Sequence, residues 1–68
     1  MNRVQQYKRP DQLTSGDYIW NPSSKRQEPV KEAYWSDDSQ RYVVWVGPLG
    51  MSMHLYERGT KVLTTRFY

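Results

Sequence analysis

Turn-forming clusters recur at short, even intervals along this chain, and that spacing restricts the fold more than any other feature. Ser15-Gly16-Asp17 is the first, followed by Asn21-Pro22-Ser23-Ser24, Ser36-Asp37-Asp38-Ser39, Gly47-Pro48-Leu49-Gly50 and Glu57-Arg58-Gly59-Thr60. Each is rich in residues that tolerate positive φ, preset φ, or hydrogen-bond to their own backbone. Gly59 suits the left-handed position of a three-residue hairpin loop. Short strands separated by regular turns are the pattern of an all-β domain.

The segments between the turns read as five strands. Tyr18 to Trp20 is short, and Pro29 to Trp35 is longer but weakened by Glu32 and Ala33. Arg41 to Val46 is the strongest, because Tyr42-Val43-Val44-Trp45-Val46 is β-branched or aromatic throughout. Its apolar residues fall on both faces, so it belongs in the middle of the sheet or under cover on both sides. Ser52 to Tyr56 alternates Met53 and Leu55 against His54 and Tyr56, and Thr60 to Phe67 closes the chain. Arg9 to Leu13 reads as a single helical turn or a loop that tucks Leu13 into the core. No window carries a 3.6-residue apolar stripe over three turns.

At 68 residues there is one domain. A chain of this length buries only roughly 60% of the surface that its unfolded form exposes. The absence of cysteine removes disulfide support. Residues 1–9 read as an N-terminal arm, with Arg3, Lys8 and Arg9 and no acid, and an ordinary solvated terminus accounts for it more simply than a basic binding arm. Residues 10–68 form the β domain. A flat sheet of this size leaves two exposed edges, which invite aggregation. The expected fold is therefore a small five-stranded antiparallel barrel or a strongly bent sheet, with Gly47 and Gly50 at a corner.

Leu13-Thr14-Ser15-Gly16-Asp17-Tyr18-Ile19 resembles the opening of many SH3-like small barrels, which often begin with a Leu-x-x-Gly-Asp turn into the first strand. In that turn the glycine permits the tight bend and the aspartate accepts backbone N–H groups. The resemblance covers about seven residues. It implies a fold that binds RNA, DNA, peptides or proteins, and it does not select among them. The Trp- and Tyr-rich, cysteine-free style also resembles small phage-encoded proteins.

Several chemistries find no support in the sequence. One histidine and no cysteine leave none of the usual zinc ligand sets. Asp37-Asp38 reads as a solvated turn, since a calcium loop needs more oxygen ligands at spaced positions. His54 has no serine in a strained Gly-x-Ser-x-Gly elbow to serve, and reads as a structural histidine. Gly47-Pro48-Leu49-Gly50 lacks the length and the Lys-Ser/Thr of a phosphate loop. Asn21-Pro22-Ser23 fails as a glycosylation acceptor because proline follows the asparagine. No apolar run approaches the ~20 residues that span a bilayer. The N-terminus also lacks the apolar stretch of a signal peptide, so a cytoplasmic protein without cofactor or membrane association is expected.

The aromatic residues remain. Three Trp, six Tyr and one Phe make up 15% of the chain, more ring area than so small an interior holds. With Ile19 inward, period-two alternation turns Tyr18 and Trp20 outward. Trp20, Trp35, Tyr42 and Trp45 are the candidate rings, and Lys25, Arg26, Lys31 and Arg41 the candidate cations, with Lys25-Arg26 and Arg41 sharing one rim. Rings beside cations can stack unpaired bases while Lys and Arg hold phosphates. Together with a pI near 9.4, this points to a non-enzymatic module bound to nucleic acid. The same residue types also make protein-binding hot spots. A modulator docking on a protein, or a structural subunit that pairs with its own copy, is the alternative.

Overall fold

In the computed structural model, which describes residues 2–68, four of the five turn clusters join consecutive strands, and the first, Ser15-Gly16-Asp17, leads from the loop after a 3₁₀ turn into a strand. Six strands result: β1 (Arg3–Lys8), β2 (Tyr18–Asn21), β3 (Arg26–Ser36), β4 (Arg41–Val46), β5 (Ser52–Tyr56) and β6 (Val62–Phe67). They form one antiparallel sheet in the order β1-β6-β2-β3-β4-β5. The all-β class is as expected. Pro10–Gln12 forms the single 3₁₀ turn, and the Gln12 side chain accepts the Arg9 N–H at 3.1 Å. No helix among the described residues is long and apolar enough to cross a membrane.

Two expectations need correction. The strands number six, and the sheet is open rather than closed, with β1 and β5 as its edges. The sixth strand lies inside the stretch expected to be an arm. Arg3–Lys8 is exposed or nearly so along its whole length, so it carries no apolar alternation from which a strand could be read. It is ordered instead by a six-pair ladder with β6, which Asn2 and Tyr68 extend through two reciprocal backbone bonds of 3.1 and 2.7 Å.

The sheet bends at β3. Val30 faces Val46 and Glu32 faces Trp45, so Lys31 is an extra residue in the ladder. Such a bulge kinks its strand and reverses the side-chain alternation beyond it. Glu28 and Val30 point inward before the bulge, and Ala33 does so after it. The first half of β3 pairs with β2 and the second half with β4. One strand thus serves two halves of the sheet, which curve around a shared interior.

That interior is aliphatic. Leu13, Ile19, Val30, Val44, Val46 and Val62 form the core, with Ala33 and Tyr56 packed against them. Leu13 plugs it from the loop after the 3₁₀ turn, as its sequence position suggests. None of the fully buried hydrophobic side chains is aromatic.

The narrowest seam of the sheet lies between β6 and β2, which share one register pair, Tyr18 with Thr65. The Thr64 hydroxyl adds a bond of 3.2 Å to the Tyr18 carbonyl. Asp17, with no exposed surface at all, closes this seam. Its carboxylate accepts the Thr14 N–H at 3.0 Å and takes Lys8 Nζ, from β1, at 3.2 and 3.3 Å. Arg66 Nη1, from β6, lies 3.8 Å away. Gly16 is required beside it: its φ is +106°, and a Cβ there would meet Arg66 Nη2 at 2.7 Å.

Replacing Asp17 by Asn keeps the volume and an acceptor for Thr14 but leaves Lys8 and Arg66 facing each other without a counter-ion. The expected loss is about 3 kcal/mol, the lower end for a broken buried pair, because both cations keep some access to water. Urea unfolding at pH 7 reads this directly. An unchanged midpoint would show that the buried carboxylate contributes nothing.

Candidate functional site

Registers and exposures together define which side chains leave the sheet on its outer, convex side. On β1 these are Arg3, Gln5 and Tyr7, which face Phe67, Thr65 and Leu63 on β6. On β2 they are Tyr18 and Trp20, which face Pro29 and Gln27 on β3. Tyr7 is 68% exposed and Trp20 53%, and Leu63 and Phe67 are also open to solvent. Tyr18 packs edge-on against Phe67 with ring centroids 5.1 Å apart. Beneath them the Gln5 amide donates to the Thr65 hydroxyl at 3.2 Å, which holds β1 and β6 flat under the rings. None of these ten outward residues is acidic. Arg3 lies on the face itself. Lys25 lies at its margin, in the turn beyond Trp20, whereas Arg26, opposite Asn21 and in step with the inward Glu28, belongs to the inner side.

That hairpin turn is built by Asn21. Its side-chain oxygen accepts the Ser23 N–H at 3.0 Å and its carbonyl accepts the Lys25 N–H at 2.7 Å. Lys25 adopts a φ of +58° to complete the reversal. The strained backbone holds Lys25 at the end of the hairpin, next to the Trp20 row.

The other candidate residues lie elsewhere. Lys31 is the bulge residue, and its stem lies over Gly50, where a Cβ would meet Lys31 Cγ at 2.7 Å. Trp35 and Tyr42 face each other at the far end of β3 and β4, with ring centroids 4.8 Å apart and edge-on. They are on the inner side of the sheet, beyond the end of the core. The Trp35 N–H donates to Asp37 at 3.0 Å, and Arg58 sits 5.0 Å over the ring. Trp45 is on the opposite side of β4 and donates to the Tyr34 hydroxyl at 3.3 Å. Arg41 pairs with Ser36 at the last position of β3. The expected common rim for Lys25-Arg26 and Arg41 is therefore not formed. They stand at opposite ends of β3, roughly 30 Å apart along the strand at about 3.3 Å per residue.

A second outward surface lies on β5. Registers place Leu55 beside Val43 and Tyr34, and Met53 beside Trp45. Met51 is largely exposed, and Met53 and Leu55 are about half exposed. His54 and Tyr56 turn inward instead, because they face Val44 and Tyr42 on the core side of β4. Tyr56 OH lies 3.4 Å from His54 Nδ1, and burial pushes the Tyr56 hydroxyl pKa up. Among the described residues, no group of three or more His, Asp or Glu side chains is placed to hold a metal ion.

Comparison with family models, curated proteins and solved structures gave no match to this chain. The geometry alone carries the functional reading.

The three indoles differ in a way that solution measurement can read. Trp35 and Trp45 are half-buried, whereas Trp20 is more than half exposed. Acrylamide should quench Trp20 most strongly, and Trp20→Phe should remove most of the readily quenched emission. Equal quenching of wild type and variant would show that Trp20 is covered in solution.

Proposed function

We propose that this chain is a non-catalytic binding module that takes single-stranded nucleic acid on the outer face of β1, β6 and β2. The observation that carries the reading is that face itself: Tyr7, Tyr18, Trp20 and Phe67 on adjoining strands, without an acid among their outward neighbours. Exposed rings on a sheet face offer stacking platforms for unpaired bases, and flanking cations follow the phosphates. Arg3 lies at one end of the face and Lys25 at another. A net charge of +3 adds a favourable field of modest size. The finer architectural reading, an SH3-like barrel opened at one side, draws support from the Asp17 turn and from β3, which bends to serve both halves of the sheet.

A second reading rests on a different observation. Met53 and Leu55, with Met51 just before them, form an apolar row at the edge strand β5, whose outer edge is unpaired and which carries no Lys or Pro. Flexible methionine surfaces suit protein partners, and unguarded edges accept an added strand.

A labelled oligothymidine titrated at about 50 and 200 mM salt separates the two. Binding on the ring face should weaken as salt rises. Trp20→Ala should cost roughly tenfold in affinity, within the 1–3 kcal/mol per base that stacking supplies. Arg3→Ala should reduce the slope of log affinity against log salt by about 0.7, the single-strand value for one phosphate contact. No binding at the lower salt would remove the nucleic-acid reading. Capture of a protein partner that is lost on Met53→Ser would then establish the second.

A further inference from the structure

The inner side of the sheet holds a carboxylate that nothing above uses. Glu28 is nine-tenths buried, yet no cation approaches it within salt-bridge distance among the described residues. Its Oε1 is fully engaged, accepting the Asn21 amide at 2.7 Å and the Ser24 hydroxyl at 2.6 Å. Its Oε2 has no donor. That oxygen faces Gly47, at 3.1 Å from where a Cβ would stand. The Ser24 hydrogen bond, assisted by Asn21 and by the nearby Arg26, outweighs burial and holds the carboxyl below its ordinary pKa. The group is therefore an anion at neutral pH.

This anion opens into a cavity of about 280 Å³ whose remaining lining includes Val46, Pro48, Leu49 and Met51. The volume equals roughly nine waters at about 30 Å³ each. Gly47 keeps the approach clear, since any side chain there would enter the space before Oε2. Its φ of +103° and its bond to the Pro29 carbonyl at 2.8 Å fix the loop in that position. Leu49 and Met51 stand largely exposed at the mouth.

We infer that this cavity is a binding site for a primary alkylammonium group, with the cation on Glu28 Oε2 and its aliphatic stem against Val46, Pro48, Leu49 and Met51. A charge with few polar neighbours and one free acceptor is matched by a cation on an apolar stem. Only one carboxylate oxygen is free, so the two-pronged bond that favours guanidinium cannot form. A compact ammonium fits in its place. The group reaches the protein either as a free small amine or as a lysine side chain of a protein partner. The site shares no residue with the ring face of β1, β6 and β2, so it stands or falls independently of that proposal.

The experiment is a ¹H–¹⁵N titration of the full chain with n-butylammonium, whose stem matches that of lysine. The expected result is a saturable shift confined to Glu28, Gly47, Leu49, Met51 and Ser52, with n-butanol at least roughly tenfold weaker. Glu28→Gln preserves an acceptor for Asn21 and Ser24 and should lose at least tenfold in affinity with the rest of the spectrum intact. Leu49→Ser, at an exposed position, should weaken binding without touching the fold, and serves if the Glu28 variant does not fold. A short lysine peptide binding more tightly than n-butylammonium assigns the site to a protein's lysine, and a weaker peptide assigns it to a free amine. The inference is overturned if n-butylammonium causes no localised shift, if n-butanol binds equally well, or if a folded Glu28→Gln or Leu49→Ser variant retains full affinity.

Discussion

A single buried carboxylate holds the two ends of this chain against its middle. The β1–β6 ladder has six pairs and the β3–β4 ladder also has six, but the seam between them, at β6 and β2, has one. Hydrogen bonding of the backbone alone would make that seam a hinge. Asp17 sits at it with a cation from β1 on one side and a cation from β6 on the other. The interaction is strong because it is sheltered: exposed pairs contribute little, whereas a buried anion that loses its partners cannot recover hydration. The ring face lies across the same seam, with Tyr7 and Phe67 on one side and Tyr18 and Trp20 on the other. Its continuity depends on the clamp below it.

The second constraint is the size of the interior. Six aliphatic side chains fill it, and the bulge at Lys31 turns the second half of β3 so that Ala33 joins Val30 on the core side. No space is left for an indole. The aromatic residues are displaced to two outer faces and to the inner end of β3 and β4. There they cover backbone, pack edge-on with one another, or stand free. A larger domain would absorb such rings into its core, where burial is most favourable. Here the surplus becomes surface, and it is sorted by strand: rings with no acid over β1, β6 and β2, and methionine and leucine over β5.

Much of this could be read from the residues alone, and the parts that could not have physical reasons. The five turns were legible because Gly, Pro, Asn and Asp carry local conformational preferences that need no tertiary context. The opposition of Ile19 to Tyr18 and Trp20 was legible from period-two alternation, but which face of β4 turns inward was not, because its apolar residues fall on both. β1 was not, because a strand exposed on both faces has no apolar pattern and is ordered only by a partner sixty residues away. The bulge was hinted at by the broken alternation through Lys31-Glu32-Ala33. Its consequence, which sends Trp35 inward and Trp45 outward, needed the register with β4. For the candidate site, Trp20 with Lys25 was read from sequence neighbourhood, whereas Arg26 alternates to the side of Glu28. Tyr7, Leu63 and Phe67 were missed because they join that face only through the β1–β6 ladder. Glu28 gave no signal at all, since a glutamate in a strand is ordinarily a solvated residue.

The claim that a buried aspartate secures the seam and thereby assembles the outer face is tested most directly by amide hydrogen exchange in wild type and Asp17→Asn. The account predicts that the variant loses protection first and most at the β1–β6 amides, among them Gln6, Thr64 and Arg66, while Val44 and Val46 in β4 stay protected. Protection lost evenly across all six strands, or unchanged at β6, would contradict it.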